Sequence, residues 1–476
     1  LAMVFLMPGV EVSWTSFIVN LAFLFGGGFF LNTFSSSKII FVPMLFLMTM
    51  GYYYGVRGID WFPFETVEET VVVDDKSKTI PDNLDQQAEL LVEVSNGHQL
   101  SELTSILEKY NLTAEPAFTV KDAAATELDD FYAVNIPNDQ MQHYHAIFSA
   151  LDASNLVDHV EGNEILSLDP LEAEATERSA KNNKYTANDP ELGKMWGYEA
   201  MDFEALYQLL ITENIQPAKK AKIAIIDTGV DFAHEDLNEK FVSLGDYHND
   251  DPHGHGTHCA GIAAAVSNNG KGIASFTPNG DYVEVTSVKV FGKYGSTSQR
   301  IIIDGMLLAV DNGADVLSMS LGGPGTPSRQ RAYKQAVKYA NKKGALVVVA
   351  AGNESVDARK RVPASVDGVI TVAALDENLN RASFSNSVEH IKMGIAAPGV
   401  QVYSTIPNNN YEYFNGTSMA TPYVAGLLGL MKSIKPTLNT QDAYKILKQT
   451  GKDTRNVKVT GKLINPATAV KQLLRK

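Results

Sequence analysis

Five short segments of this chain gather the side chains best suited to chemistry. The first, Lys222-Ile-Ala-Ile-Ile-Asp227-Thr-Gly229, is a continuous apolar run that ends in an aspartate and a turn glycine. A buried parallel strand reads this way, and its last polar side chain then sits at the carboxyl edge, where α/β proteins build their sites. The second, His253-Gly-His255-Gly-Thr-His258-Cys259-Ala-Gly261, runs into an Ala-rich helix over 262–266. Three histidines so close admit a metal cluster, because His is the commonest metal ligand. Against a metal stand the missing Glu of a His-Glu-x-x-His arrangement and glycines that favour tight backbone packing. The third, Val316-Leu-Ser-Met-Ser320-Leu321-Gly322-Gly323, is an apolar strand opening onto a glycine pair, whose bare backbone could bond an extended peptide as an added strand. The fourth, Leu346-Val-Val-Val-Ala-Ala351-Gly352-Asn353, ends in a side-chain amide. The fifth, Asn415-Gly416-Thr417-Ser418-Met419-Ala420-Thr421-Pro422, opens an apolar helix over 423–431, where a serine taken alone reads as an N-cap.

Singly, each segment has a structural explanation; together they supply a triad and an oxyanion donor. The order Asp, His, Ser differs from that of the α/β-hydrolases, which need a Gly-x-Ser-x-Gly elbow ahead of the acid and the histidine. On Asp227-Thr-Gly-Val-Asp231, His255-Gly-Thr-His-Cys-Ala-Gly261, Ser320-Leu-Gly-Gly323, Ala351-Gly-Asn353 and Gly416-Thr-Ser418-Met-Ala-Thr-Pro422, the chain resembles the subtilases, the subtilisin-like serine endopeptidases. The resemblance spans residues 188–468, in order and at family-like spacing. Cys259, with Asp357-Ala-Arg359 and Pro363-Ala-Ser365, leans towards the proteinase K-like branch.

The resemblance implies roles. Ser418 would attack the scissile carbonyl, His255 would take its proton and pass it to the leaving amine, and Asp227 would hold the imidazole. Asn353 and the Ser418 backbone N–H would bind the oxyanion. His258 would be a packed residue and His253 an exposed one. Ser320, Leu321, Gly322 and Gly323 would face Ala351 and Gly352 across the pocket for P1, the substrate side chain on the acyl side of the cut bond. Residues 290–292 would lie at the other edge of the peptide channel. Arg361 falls near the pocket floor, either meeting an acidic P1 side chain or swung to solvent. No cofactor is required for the chemistry; a structural calcium at Asp236, Asn268 and Asn269 is implied, and Gly394 stands where relatives place an Asp of another calcium site.

The elements that must position these residues follow from hydrophobic periodicity. Residues 189–476 read as a three-layer α/β/α peptidase domain with a mainly parallel sheet. Residues 88–170 read as a smaller α+β, ferredoxin-like domain of order βαββαβ: strands over 88–95, 117–120, 131–136 and 157–168, helices over 99–110 and 139–151. By resemblance it is an inhibitory propeptide, making the chain a self-processing zymogen cut within the polar linker 171–188. An acidic linker covers 61–87. Residues 1–60 hold two uncharged runs, 14–34 and 39–55, joined by Ser35-Ser36-Ser37-Lys38. They predict a transmembrane helical hairpin, a membrane anchor with the catalytic domain extracytoplasmic; a signal peptide with a second apolar stretch is the alternative.

Charge bounds the partners. The 476 residues carry 40 basic and 55 acidic side chains, net −15, which argues against nucleic acid. Residues 65–180 hold 25 acidic against 5 basic groups, while 181–476 hold 28 against 33. Two bodies of opposite sign could dock, although solubility alone explains an acidic domain equally well. The single cysteine, Cys259, excludes an internal disulfide framework and a cysteine-based zinc site. Polypeptides are the expected substrates; a catalytically silent scaffold is the competing class, and retention of all four catalytic positions speaks against it.

Overall fold

The structure, a computed structural model, describes residues 80–168, 186–278, 282–325 and 330–475. These belong to one compact unit, Ile80–Lys476. The transmembrane hairpin expected over 1–60 is corrected: among the described residues no helix is long and apolar enough to cross a membrane. The two runs on which it was read lie outside the described residues. Among the described residues, the apolar helix at 417–434 is buried in protein, as a helix hydrophobic on all sides must be in a globular body.

The acidic region folds as β1 (Leu90–Val94), a 3₁₀ turn and α1 (Thr104–Lys109), β2 (Thr113–Pro116), β3 (Phe131–Asn135), α2 (Tyr144–Asp152) and β4 (Val157–Gly162). The sheet order is β2-β3-β1-β4, all antiparallel. A further strand, β5 (Ile165–Ser167), leaves this sheet altogether. Every residue of β1 is buried, because each face of the sheet is covered. Leu90, Val92 and Val94 pack under the region's own helices with Ile147 and Leu151. Leu91, Phe131 and Ala133 face the larger α/β body that follows in the chain.

In that body, β6 (Ala221–Asp227) is followed by α3 (His255–Ala264), β7 (Val283–Lys289), β8 (Ser296–Ser298), α4 (Gln299–Asp311), β9 (Val316–Met319) and β10 (Gly323–Pro324). Then come α5 (Arg331–Lys342), β11 (Leu346–Ala350), β12 (Arg361–Val362), β13 (Val369–Leu375), β14 (Gly394–Pro398) and α6 (Thr417–Ile434). The main sheet has the order β14-β13-β11-β9-β6-β7 with every pair parallel. Strand periodicity builds three layers. Ile223 and Ile225 of β6 enter the core shared with α3 and α6, whereas Ala224 and Ile226 enter the core shared with α4 and α5. Central strands buried on both faces explain the uninterrupted apolar runs. The neighbours β6, β9 and β11 end side by side, which brings Asp227, Ser320 and Asn353 to one carboxyl edge.

Candidate active site

Asp227, fully buried, is the last residue of β6. Its Oδ1 accepts hydrogen bonds from His255 Nδ1 at 2.7 Å and from the Thr228 N–H at 2.8 Å. A carboxylate acceptor fixes the histidine proton on Nδ1 and leaves Nε2 as the basic nitrogen. His255 is the first residue of α3, and that helix start is held by Asp251. One Asp251 oxygen accepts from the N–H groups of His253 and Gly254 and from Thr228 Oγ1; the other accepts from Thr257 N–H and Oγ1 at 2.8 and 2.7 Å. A carboxylate at a helix N-terminus satisfies donors that the helix cannot. The strand turn and the helix approach so closely that a Cβ on Gly256 would lie 2.1 Å from the Gly229 carbonyl oxygen.

Ser418 is delivered by α6. Gly416 is the residue before this helix and Ser418 its second residue, so the serine is not an N-cap; its hydroxyl donates to the Ser320 carbonyl at 3.1 Å. Every other residue of α6 except Ile434 is buried, leaving Ser418 as the accessible point at the helix start. Pro422 stands inside α6 and has no N–H to give the Ser418 carbonyl four residues earlier. That carbonyl is satisfied instead by Ser320 Oγ at 2.7 Å and Cys259 Sγ at 3.5 Å. Burial pushes the Cys259 thiol well up, so it stays protonated and serves as a weak donor. Asn353 Oδ1 accepts from Thr417 N–H and Oγ1, both at 2.9 Å. Because a backbone N–H can only donate, this bond fixes the amide orientation and turns Nδ2 to the other side.

His255, Asn353 and Ser418 line one pocket with Ser320, Leu321, Gly322, Ala350, Gly352, Glu354, Arg361 and Thr417. Ala351 and Gly323 do not line it: Ala351 is fully buried, and Gly323 sits in β10, paired with β12. Two residues of the N-terminal region, Ser167 and Leu168, also line the pocket. Strand β5 pairs antiparallel with β8, and the Leu168 N–H donates to the Gly295 carbonyl at 2.9 Å. This extended segment thus runs along 295–298 rather than 290–292, whose Gly292 forms the turn before β8. Leu166 packs where a Cβ of Gly323 would be, 2.7 Å from its Cδ2, so the glycine makes room for a large apolar side chain.

The other histidines have separate tasks. His258 is buried, donates through Nε2 to the Glu412 carbonyl at 3.0 Å and stacks on Phe414; burial pushes its pKa down to about 3. His253 is half-buried rather than exposed. Of the implied calcium residues, Asp236 is buried and accepts from Asn269 Nδ2 and the Ile273 N–H, each at 2.8 Å. Burial raises its carboxyl above the usual range. Asn268 turns its side chain away, to Pro278 and Asn188, while the equally buried Asp189 accepts from the N–H groups of Asn268 and Asn269. Sequence reasoning passed over Asp189, Asp251 and Thr417; only Asp251, four residues before His255 and next to a proline, carries a local signal, that of a helix start.

Comparison with known proteins agrees with this geometry. The family model described as the subtilase family, Peptidase_S8, matches residues 218–465. Subtilisin DY of Bacillus licheniformis is 43% identical over 256 residues, covering 52% of this chain and 90% of the relative. Thermitase of Thermoactinomyces vulgaris is 41% identical over 255 residues, covering 52% and 86%. Among solved structures, a protease of Pseudoalteromonas arctica aligns over 60% of this chain and 99% of its own, with 29% identity and a TM-score of 0.53. An Asp–His pair at a strand end, an accessible serine at a buried helix start and relatives matched nearly end to end lead to one conclusion: the chain belongs to the subtilase family of serine endopeptidases.

Proposed function

We propose that the chain is made as a self-inhibited precursor that hydrolyses peptide bonds through Ser418, with residues 80–168 acting as its own propeptide. His255 removes the Ser418 proton as the hydroxyl attacks the scissile carbonyl, and the Asp227 carboxylate stabilises the imidazolium so formed. Asn353 Nδ2 and the Ser418 N–H hold the oxyanion; in relatives one such amide donor is worth about 2.7–4 kcal/mol of the barrier. The tetrahedral centre collapses, His255 gives its proton to the leaving amine, and water repeats the sequence on the acyl-enzyme. Buried acceptors at Asp236 and Asp189 fit one structural calcium, whose charge would offset carboxylates that burial disfavours.

The observation that carries the precursor reading is the β5–β8 pairing, by which the chain lays an extended segment of itself along its own channel up to Leu168. The experiment is Ser418→Ala in the full chain. The variant should lose peptide hydrolysis and remain uncut between 168 and 189, while the parent is cut there, as N-terminal sequencing reads out. A Ser418→Ala chain processed like the parent overturns self-processing, and a parent whose Ser418 resists phenylmethylsulfonyl fluoride overturns the nucleophile assignment.

A further inference from the structure

Resting on the peptidase reading above, we infer that Arg361 makes this enzyme select an acidic side chain, Asp or Glu, at P1. Arg361 is the first residue of β12, which pairs with β10, the strand that follows Gly322 of the pocket wall. Its side chain is 17% exposed, so it is not swung to solvent. The aliphatic stem lies where a Cβ of Gly352 would be 3.5 Å from Cγ, along the opposite wall. The guanidinium bonds Glu354 Oε1 at 2.6 Å and reaches the Gly322 carbonyl at 3.5 Å, both through Nη2. Its Nε–H is buried without a hydrogen-bond partner. A planar fork of five donors, two positions of it engaged, retains capacity for a carboxylate arriving from the pocket mouth.

Glu354 is the counter-argument, since it places a negative charge on the same lining. It does not cancel the arginine. Glu354 is 35% exposed and anchored through Oε2 by Asn386 Nδ2 at 2.7 Å, whereas the guanidinium is the more buried charge and is screened less. Glu354 therefore orients Arg361 across the pocket and attenuates its pull. A neutral-to-acidic change at P1 adds one ion pair in a partly buried site, whereas a large aromatic P1 meets a charged floor.

The test compares kcat/KM on peptide amides identical except for Glu or Gln at P1, with the mature enzyme, so that shape is held constant and only charge changes. The parent should prefer Glu at least tenfold, Arg361→Ala should bring the ratio to one or below, and Glu354→Gln should raise it above the parent's. Because the ratio is taken within each variant, a general loss of active protein cancels; Arg361→Lys, which keeps charge without the fork, should retain a reduced preference. A parent ratio at or below one overturns the inference, as does an Arg361→Ala ratio equal to the parent's. Failure to cut any peptide, including denatured protein, sinks the peptidase reading itself and this inference with it.

Discussion

Acid stability is where His258 should announce itself. This imidazole is buried against Phe414, with its Nε2–H on the Glu412 carbonyl, and burial holds its pKa at about 3 against 6.5 when exposed. The folded state therefore binds fewer protons than the unfolded state between those values. The stability that this neutral ring allows is fully present above pH 6.5 and is lost as pH falls towards 3, at about 1.4 kcal/mol per unit. At pH 5 the loss is about 2 kcal/mol, a large part of an ordinary margin of roughly 5–15 kcal/mol. His258→Gln keeps a donor for the Glu412 carbonyl but has no proton to gain. We expect urea unfolding, in a Ser418→Ala background that prevents self-digestion, to show a stability loss between pH 7 and 5 that is about 2 kcal/mol smaller in His258→Gln. Parallel pH dependence of parent and variant would refute the assignment of His258 as a neutral core residue.

Two further perturbations test the frame around the site. Gly256→Ala puts a methyl where only 2.1 Å separates it from the Gly229 carbonyl oxygen, so α3 must move away from β6; we expect a stability loss of at least about 1–3 kcal/mol and a fall in kcat, and an alanine variant that melts and turns over like the parent contradicts the close approach. Calcium should raise the melting temperature by relieving the buried Asp236 carboxylate, up to about 2.7 kcal/mol at a hundredfold excess over Kd, and Asp236→Asn should abolish that response; a parent indifferent to calcium and to chelator removes the site.

What was legible in the sequence was whatever had a local cause. Asp227 ends an apolar run, Asn353 follows another, and Ser418 precedes an apolar helix; each is a strand end or helix start that short-range pattern marks. Failures came where a partner distant in sequence decides. The strand expected over 117–120 lies at Thr113–Pro116, because β2 is an edge strand with no buried alternation, while Ala117 and Phe118 are apolar for packing against the catalytic body. The strand expected over 157–168 is broken after Gly162, and its second half pairs with β8, more than a hundred residues on. Gly323 and Ala351 carry the motif's spelling but not the pocket surface, since their neighbours Gly322 and Ala350 face it. Asp189 joins Asp236 only because the loop at 268–269 bridges them.

The opposite charges of the two regions meet, yet they are not what holds them together. Basic residues on and after α4 and α5 face acids of the smaller region, on its sheet and on the β2–β3 connection: Arg300 with Glu115 at 2.9 Å, Lys338 with Glu127 at 3.9 Å, Lys343 with Asp122, and Arg331 with Glu93. The first three pairs are exposed enough to be worth about 0–1 kcal/mol each. Glu93 differs, with only 3% of its side chain exposed; burial raises its carboxyl above the usual range although Arg331 opposes the shift. Asp158 and Glu127 push the carboxyl the same way as burial, so the pair specifies seating more than it stabilises, while deleting Arg331 alone would leave Glu93 without its partner at a cost of at most about 3–5 kcal/mol, since Arg331 itself is 41% exposed. Adhesion comes from Leu91, Phe118, Phe131 and Leu166, each nearly removed from water and worth roughly 1.5–3 kcal/mol as an upper estimate, together with the β5–β8 ladder. It follows that salt should slow the meeting of a severed N-terminal region with the catalytic body far more than it hastens their parting, because screening acts on the approach of −20 towards +5 and leaves the apolar contact untouched.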